Sequence, residues 1–120
     1  MLAGLIFAAS IVLVHAEEDR GKKAKEHLQE AIKSGNEGSA AGVASHTEQA
    51  KKELIEQNKD HPYTHLQNPI YGEHQKAEHD KEVFEEMEEA IVEAKEGHIQ
   101  QAVEAVERAS VHLREKEQSK

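Results

Sequence analysis

No cysteine occurs anywhere in this sequence. That absence excludes disulfide staples, thiolate zinc sites, iron–sulfur clusters and a thiol nucleophile. Tryptophan is missing too, and there are only two phenylalanines, two tyrosines and two methionines. So few aromatics give no stacking platform for bases. A mean hydropathy of −0.80 leaves material for only a thin core. Proline is confined to Pro62 and Pro69. Positive charge is also short: 15 Lys plus Arg stand against 24 Asp plus Glu, a net charge of −9. Such a surface repels phosphate backbones and argues against nucleic acid as a partner. The 120 residues suit one modest domain. The residue in clear excess is histidine, with nine copies.

Only one long hydrophobic run exists, Leu2–Val14. At 13 residues it falls short of the ~20 needed to span a bilayer. Val14-His15-Ala16 follows, resembling an A-x-A cleavage site, and Glu17-Glu18-Asp19 then opens an abruptly polar chain. The segment reads as a secretory signal peptide over 1–16, cut after Ala16; its rival is an uncleaved N-terminal anchor. Cleavage leaves a domain over 17–120, periplasmic or secreted, with no stable membrane insertion. His15 departs with the signal, so eight histidines remain.

The remainder is rich in Glu, Lys, Ala and Gln, all good helix formers. Laying residues 27–54 on residues 86–113, an offset of 59, gives eight identities in 28 positions. Glu30, Ala31, Ile32, Glu37, Gly38, Glu48, Ala50 and Leu54 match Glu89, Ala90, Ile91, Glu96, Gly97, Glu107, Ala109 and Leu113. Each copy reads as helix–turn–helix, with Gly38 and Gly97 where the chain must stop and reverse. The spacing predicts helices near 19–35, 39–57, 75–96 and 98–117. Each has one narrow apolar stripe: Ala24, Leu28, Ala31 and Ile32; Val43, Ala50 and Leu54; Val83, Met87, Ala90, Ile91 and Ala94; Ala102, Val106, Ala109 and Leu113. The expected fold is all-α, an antiparallel four-helix bundle made from a duplicated hairpin. Its hairpins cover 19–57 and 75–117, and residues 58–73 connect them.

The histidines fall on a pattern. His27, His46, His79, His98 and His112 occupy points spaced by seven residues, once the two copies are superimposed. Seven residues make two helical turns, so each row keeps to one face. The other points hold Arg20, Ser34, Ser39, Glu53, Glu86, Glu93 and Ala105. In antiparallel helices, residues whose numbers share a total lie level. His27 and His46 total 73, and His79 and His112 total 191, the same level after two offsets of 59. Imidazoles and carboxylates meeting at one level can ligate a divalent transition metal. The candidate sites are His27 and His46 with Glu30, and His79 and His112 with Glu82. His61 and His65, four apart, form a third candidate, and His74 can join them or His79. Met87 fits the core stripe and reads as packing.

Residues 87–114, MEEAIVEAKEGHIQQAVEAVERASVHLR, resemble the repeat unit of the small metal-binding proteins of bacterial periplasms. The matching elements are Glu88, Ala90-Ile91, Glu96-Gly97-His98, Ala109 and His112-Leu113-Arg114; the first copy keeps Ala31-Ile32, Glu37-Gly38 and His46. The resemblance implies a His-rich four-helix bundle that binds several divalent ions, copper foremost. It carries over onto His27, His46, His79, His98 and His112. Family repeats tend to place histidine also at the positions of Ser34, Ser39, Glu53, Glu86, Glu93 and Ala105, so this chain is His-poor by that measure.

The expectation is a non-enzymatic, exported protein that buffers or sequesters metal ions. Copper(II) leads for nitrogen and oxygen ligands, with nickel and zinc as competitors. Copper(I) traffic is disfavoured without thiols and with little methionine. The alternative is an exported helical interaction or envelope-stress module whose histidines are incidental. A metalloenzyme is disfavoured, since neither H-E-x-x-H nor a paired E-x-x-H occurs.

Overall fold

A computed structural model describes the backbone of residues 5–60 and 73–119, and the side chains of residues 20–60 and 75–119. Four helices account for almost all of it: α1 (Leu5–Asn36), α2 (Ala40–Asp60), α3 (Glu73–Lys95) and α4 (Ile99–Gln118). No strand occurs among the described residues. Three helices lie within a few residues of their expected bounds. α1 starts much earlier than residue 19, because no proline interrupts the chain between Leu5 and Arg20 and leucine and alanine favour helix there. The expected connection shortens at both ends, since α2 runs on to Asp60 and α3 begins at Glu73. Among the described residues, no helix is long and apolar enough to cross a membrane.

The two turns are built alike. Gly38 and Gly97 both have φ of 83°, the left-handed conformation that side chains with a Cβ avoid. Gly38 N donates to Gly35 O and Ser39 N to Ser34 O; Gly97 N donates to Ala94 O and His98 N to Glu93 O. This is the Schellman arrangement, which satisfies the last carbonyls of a helix. Beyond the turns, the helices start differently. Ser39 Oγ accepts from Gly42 N at 3.0 Å, an N-cap of the kind worth about 1 kcal/mol. His98 stands at the N-cap of α4 and makes no side-chain cap bond.

The core is one cluster drawn from all four helices: Ala24, Leu28 and Ala31; Val43, Ala50 and Leu54; Val83, Met87, Ala90 and Ala94; Ala102, Ala105, Val106, Ala109 and Leu113. Steps mostly of three, four and seven place these residues on one face of each helix. Small side chains allow close approach. A Cβ on Gly35 would lie 2.1 Å from Val103 Cγ2, so α1 nests against α4 only because Gly35 lacks one.

Three polar residues extend the seams in a way the apolar stripes do not show. Thr47 is buried and donates to Val43 O at 2.7 Å. Asp80 and Lys116 form a buried ion pair at 2.6 Å, with side-chain exposures of 8% and 10%. Asn58 Nδ2 donates to Asp80 Oδ2 at 2.6 Å, and Lys116 Nζ donates to Gln57 Oε1 at 3.3 Å. This network ties α2, α3 and α4 together far from the turns. Ion pairs on the flanks add links between the hairpins, Lys51 with Glu88, Lys25 with Glu117 and Lys95 with Glu48.

Candidate metal centre

The histidine rows run beside the buried seams. His27, His46, His79 and His112 are half-buried, at the seam between the two helices of a hairpin. His27 on α1 and His46 on α2 stack with ring centroids 6.2 Å apart and planes 25° apart. His79 on α3 and His112 on α4 do the same at 6.4 Å and 24°. Both pairs unite residues that the level rule places opposite each other.

The second pair has carboxylate company. Glu82 Oε2 lies 2.7 Å from His112 Nδ1 and 3.6 Å from His79 Nδ1. Ligand atoms of His79, Glu82 and His112 lie within 4.8 Å of one another. Glu115 Oε2 stands 3.2 Å from His79 Nδ1, and its Oε1 stands 4.0 Å from His112 Nδ1. These approaches are not hydrogen bonds. His79 Nδ1 and His112 Nδ1 are buried and have no hydrogen-bond partner, and the same holds for His46 Nδ1. Buried ring nitrogens without partners are costly. Their lone pairs beside misaligned carboxylate oxygens fit an ion held between them. In a tetrahedral site with bonds of about 2.0–2.1 Å, ligand atoms stand about 3.3–3.4 Å apart. The His–Glu separations bracket that edge.

The first pair is barer. Glu30 is exposed, and among the described residues no three-ligand group forms around His27 and His46.

A further group sits on the α3–α4 turn. Ligand atoms of Glu93, Glu96 and His98 lie within 4.8 Å of one another, with His98 Nδ1 2.8 Å from Glu93 Oε2 and 3.4 Å from Glu96 Oε2. The Schellman turn explains the meeting, because it brings the residues flanking it together. His98 gives its ring to Glu93 in hydrogen-bonding geometry rather than to the start of α4. Glu93 is a heptad-grid point where carboxylate can replace imidazole, whereas Glu96, though in the Glu-Gly-His motif, is not marked as a ligand by spacing.

Three other grid points are spoken for. Arg108 Nε donates to Glu86 Oε2 at 2.7 Å, and its Nη2 lies 3.3 Å from Glu89 Oε2. The Glu86 hydrogen bond, with Glu89 assisting, raises the guanidinium pKa above its ordinary value. Glu86 is thus a counter-ion and not a spare ligand. Ala105 is core. Arg20 reaches Glu56 and Asp60 at 3.5 and 3.3 Å. His61 and His65 lie outside the described residues, and His74 falls at the start of α3 with its side chain outside them.

Comparison with known proteins agrees with this chemistry. A model of the family described as small metal-binding protein matches residues 1–116. No curated protein and no solved structure matches the chain. With a match over nearly the whole sequence and His–Glu groups able to hold an ion, the chain belongs to the small metal-binding protein family.

Proposed function

We propose that this protein is an exported, non-enzymatic binder that buffers or sequesters divalent transition metal ions, copper(II) first among them. The fold in this reading is an antiparallel bundle of two duplicated hairpins, released by removal of residues 1–16. The observation that carries the reading is the His79–Glu82–His112 group, where two buried ring nitrogens lack hydrogen bonds yet face a carboxylate. Ions are held at the seam between α3 and α4, with weaker capture at His27 and His46 and at the Glu93–Glu96–His98 turn. The net charge of −9 concentrates cations near the surface. Copper(II) leads because imidazole and carboxylate ligands follow the usual affinity order, with nickel(II) and zinc(II) behind it.

An interaction module would need a contiguous apolar face. The exposed large hydrophobics among the described residues are Ile55, Val92 and Val111, on three different helices.

Calorimetric titration of the full chain with copper(II), nickel(II) and zinc(II) at neutral pH tests the proposal. Copper binding tighter than that of a histidine-tagged control peptide is expected, reduced by one ion in His79→Ala/His112→Ala. Binding no tighter than the control would end the metal reading.

A further inference from the structure

The second hairpin carries one spacing twice. His79-Asp80-Lys81-Glu82 on α3 and His112-Leu113-Arg114-Glu115 on α4 are both H-x-x-E. Residues three apart on a helix are neighbours on one face. Each helix therefore offers one imidazole and one carboxylate side by side. When two such helices run in opposite directions, His79 with Glu115 and Glu82 with His112 share one total, 194, a step from the level of the two imidazoles, so each carboxylate can reach across to the other helix's ring. The distances follow that crossing. The two contacts between helices, His112 Nδ1 to Glu82 at 2.7 Å and His79 Nδ1 to Glu115 at 3.2 Å, are the short ones. The two contacts within a helix, His79 to Glu82 at 3.6 Å and His112 to Glu115 at 4.0 Å, are longer.

We infer that Glu115 is the fourth protein ligand of this centre, which closes around a divalent first-row ion as a two-histidine, two-carboxylate site. The inference rests on the metal-binding reading of the same hairpin and goes beyond it in naming a complete coordination sphere. The tight three-residue group takes in His79, Glu82 and His112 but not Glu115. Glu115 nevertheless turns one carboxylate oxygen towards each ring. Two neutral imidazoles and two carboxylates cancel the charge of a divalent ion, which suits a half-buried seam better than a net charge would. Four side-chain ligands also leave no place for water in a tetrahedral ion, the pattern of a holding site and not of a catalytic one.

The first hairpin shows what the fourth ligand adds. The same spacing there gives His27 with Glu30, but His46 with Gln49. An amide stands where the second hairpin has Glu115, and a neutral amide oxygen is a poorer ligand than a carboxylate. The two histidine pairs are thus unequal: one has a closed donor set, the other lacks one anionic arm.

Cobalt(II) is the probe that reads this directly, because four-coordinate cobalt(II) absorbs visible light far more strongly than six-coordinate cobalt(II). The full chain is titrated with cobalt(II) alone, beside Glu115→Gln, Glu82→Gln and Glu107→Gln, the last an exposed glutamate on α4. Far-UV circular dichroism of the metal-free variants establishes that each is folded. The expected result is one ion with intense four-coordinate absorption in the parent and in Glu107→Gln. Glu115→Gln and Glu82→Gln should each lose that absorption and bind at least about tenfold more weakly. If Glu115→Gln keeps the parent spectrum and affinity while Glu82→Gln loses both, Glu115 is not a ligand and the inference falls alone. Weakly absorbing, six-coordinate cobalt(II) in a parent that still needs His79 and His112 would likewise overturn the closed sphere and leave metal binding standing. No cobalt(II), copper(II) or zinc(II) binding by the parent would overturn both.

Discussion

The burial of the imidazole nitrogens is more informative than their number. Three Nδ1 atoms, on His46, His79 and His112, lack hydrogen-bond partners, whereas His98 Nδ1 has Glu93. Metal ligation needs the neutral ring, so protons compete with the ion. Copper(II) affinity should therefore fall as pH drops from neutral to about 5, where a free imidazole is mostly protonated. Calorimetry at the two pH values checks this; equal affinities would place the ion on carboxylates alone. The amide at position 49 makes a second prediction at the same scale. Gln49→Glu gives the first hairpin the carboxylate it lacks, and should strengthen binding by the His27–His46 pair in a His79→Ala/His112→Ala background. Unchanged binding there would separate the two hairpins chemically. A third concerns stability. Asp80→Ala leaves Lys116 buried without its carboxylate, and loss of one partner from a buried pair costs about 3–5 kcal/mol. Urea denaturation of the metal-free protein measures it. A loss under about 1 kcal/mol would mean that water reaches the ammonium group, as at surface pairs.

At the scale of the element, the turn does more than reverse the chain. The left-handed glycine at position 97 (φ 83°) sets the path that brings Glu93 and His98 within 2.8 Å. Gly97→Ala should cost about 1–2 kcal/mol, the penalty of the left-handed conformation for a residue with a Cβ, since nothing lies within 4 Å of the added atom. Thermal melting of the metal-free variant reads that cost. Three helices, both turns and most of the buried apolar stripes are legible from spacing, because steps of three and four mark one face of a helix; the start of α1 at Leu5 and the burial of Ala105 are not. The level rule also named both stacked histidine pairs. What spacing alone did not show has a physical reason in each case. Asp80 and Lys116 are polar, so no apolar pattern marks them as buried. Gly35 belongs to no apolar pattern either, yet its missing side chain lets Val103 approach. The candidate site read from spacing sets His112 with Glu82 alone, whereas the approach of Glu115 to both rings follows from the repeated H-x-x-E. Glu96 comes to His98 through the geometry of the turn, which heptad counting does not follow.

For the molecule as a whole, the candidate ligand sites run beside the core seams. The core is built mainly from alanine, with a few valines and leucines and one methionine, which limits the apolar area it buries. Ions bridging α3 to α4, and α1 to α2, would add a link within each hairpin to that packing. A ligand that binds only the folded chain stabilises it by mass action, about 2.7 kcal/mol at a hundredfold excess over Kd. For a domain of this size that corresponds to about 10 °C or more. The most direct measurement is thermal unfolding of the full chain by circular dichroism, with and without saturating copper(II), beside His79→Ala/His112→Ala. The account predicts that copper raises the Tm of the parent by about 10 °C or more and raises that of the double variant by clearly less. A parent Tm unmoved by copper, or a double variant stabilised as much as the parent, would contradict it.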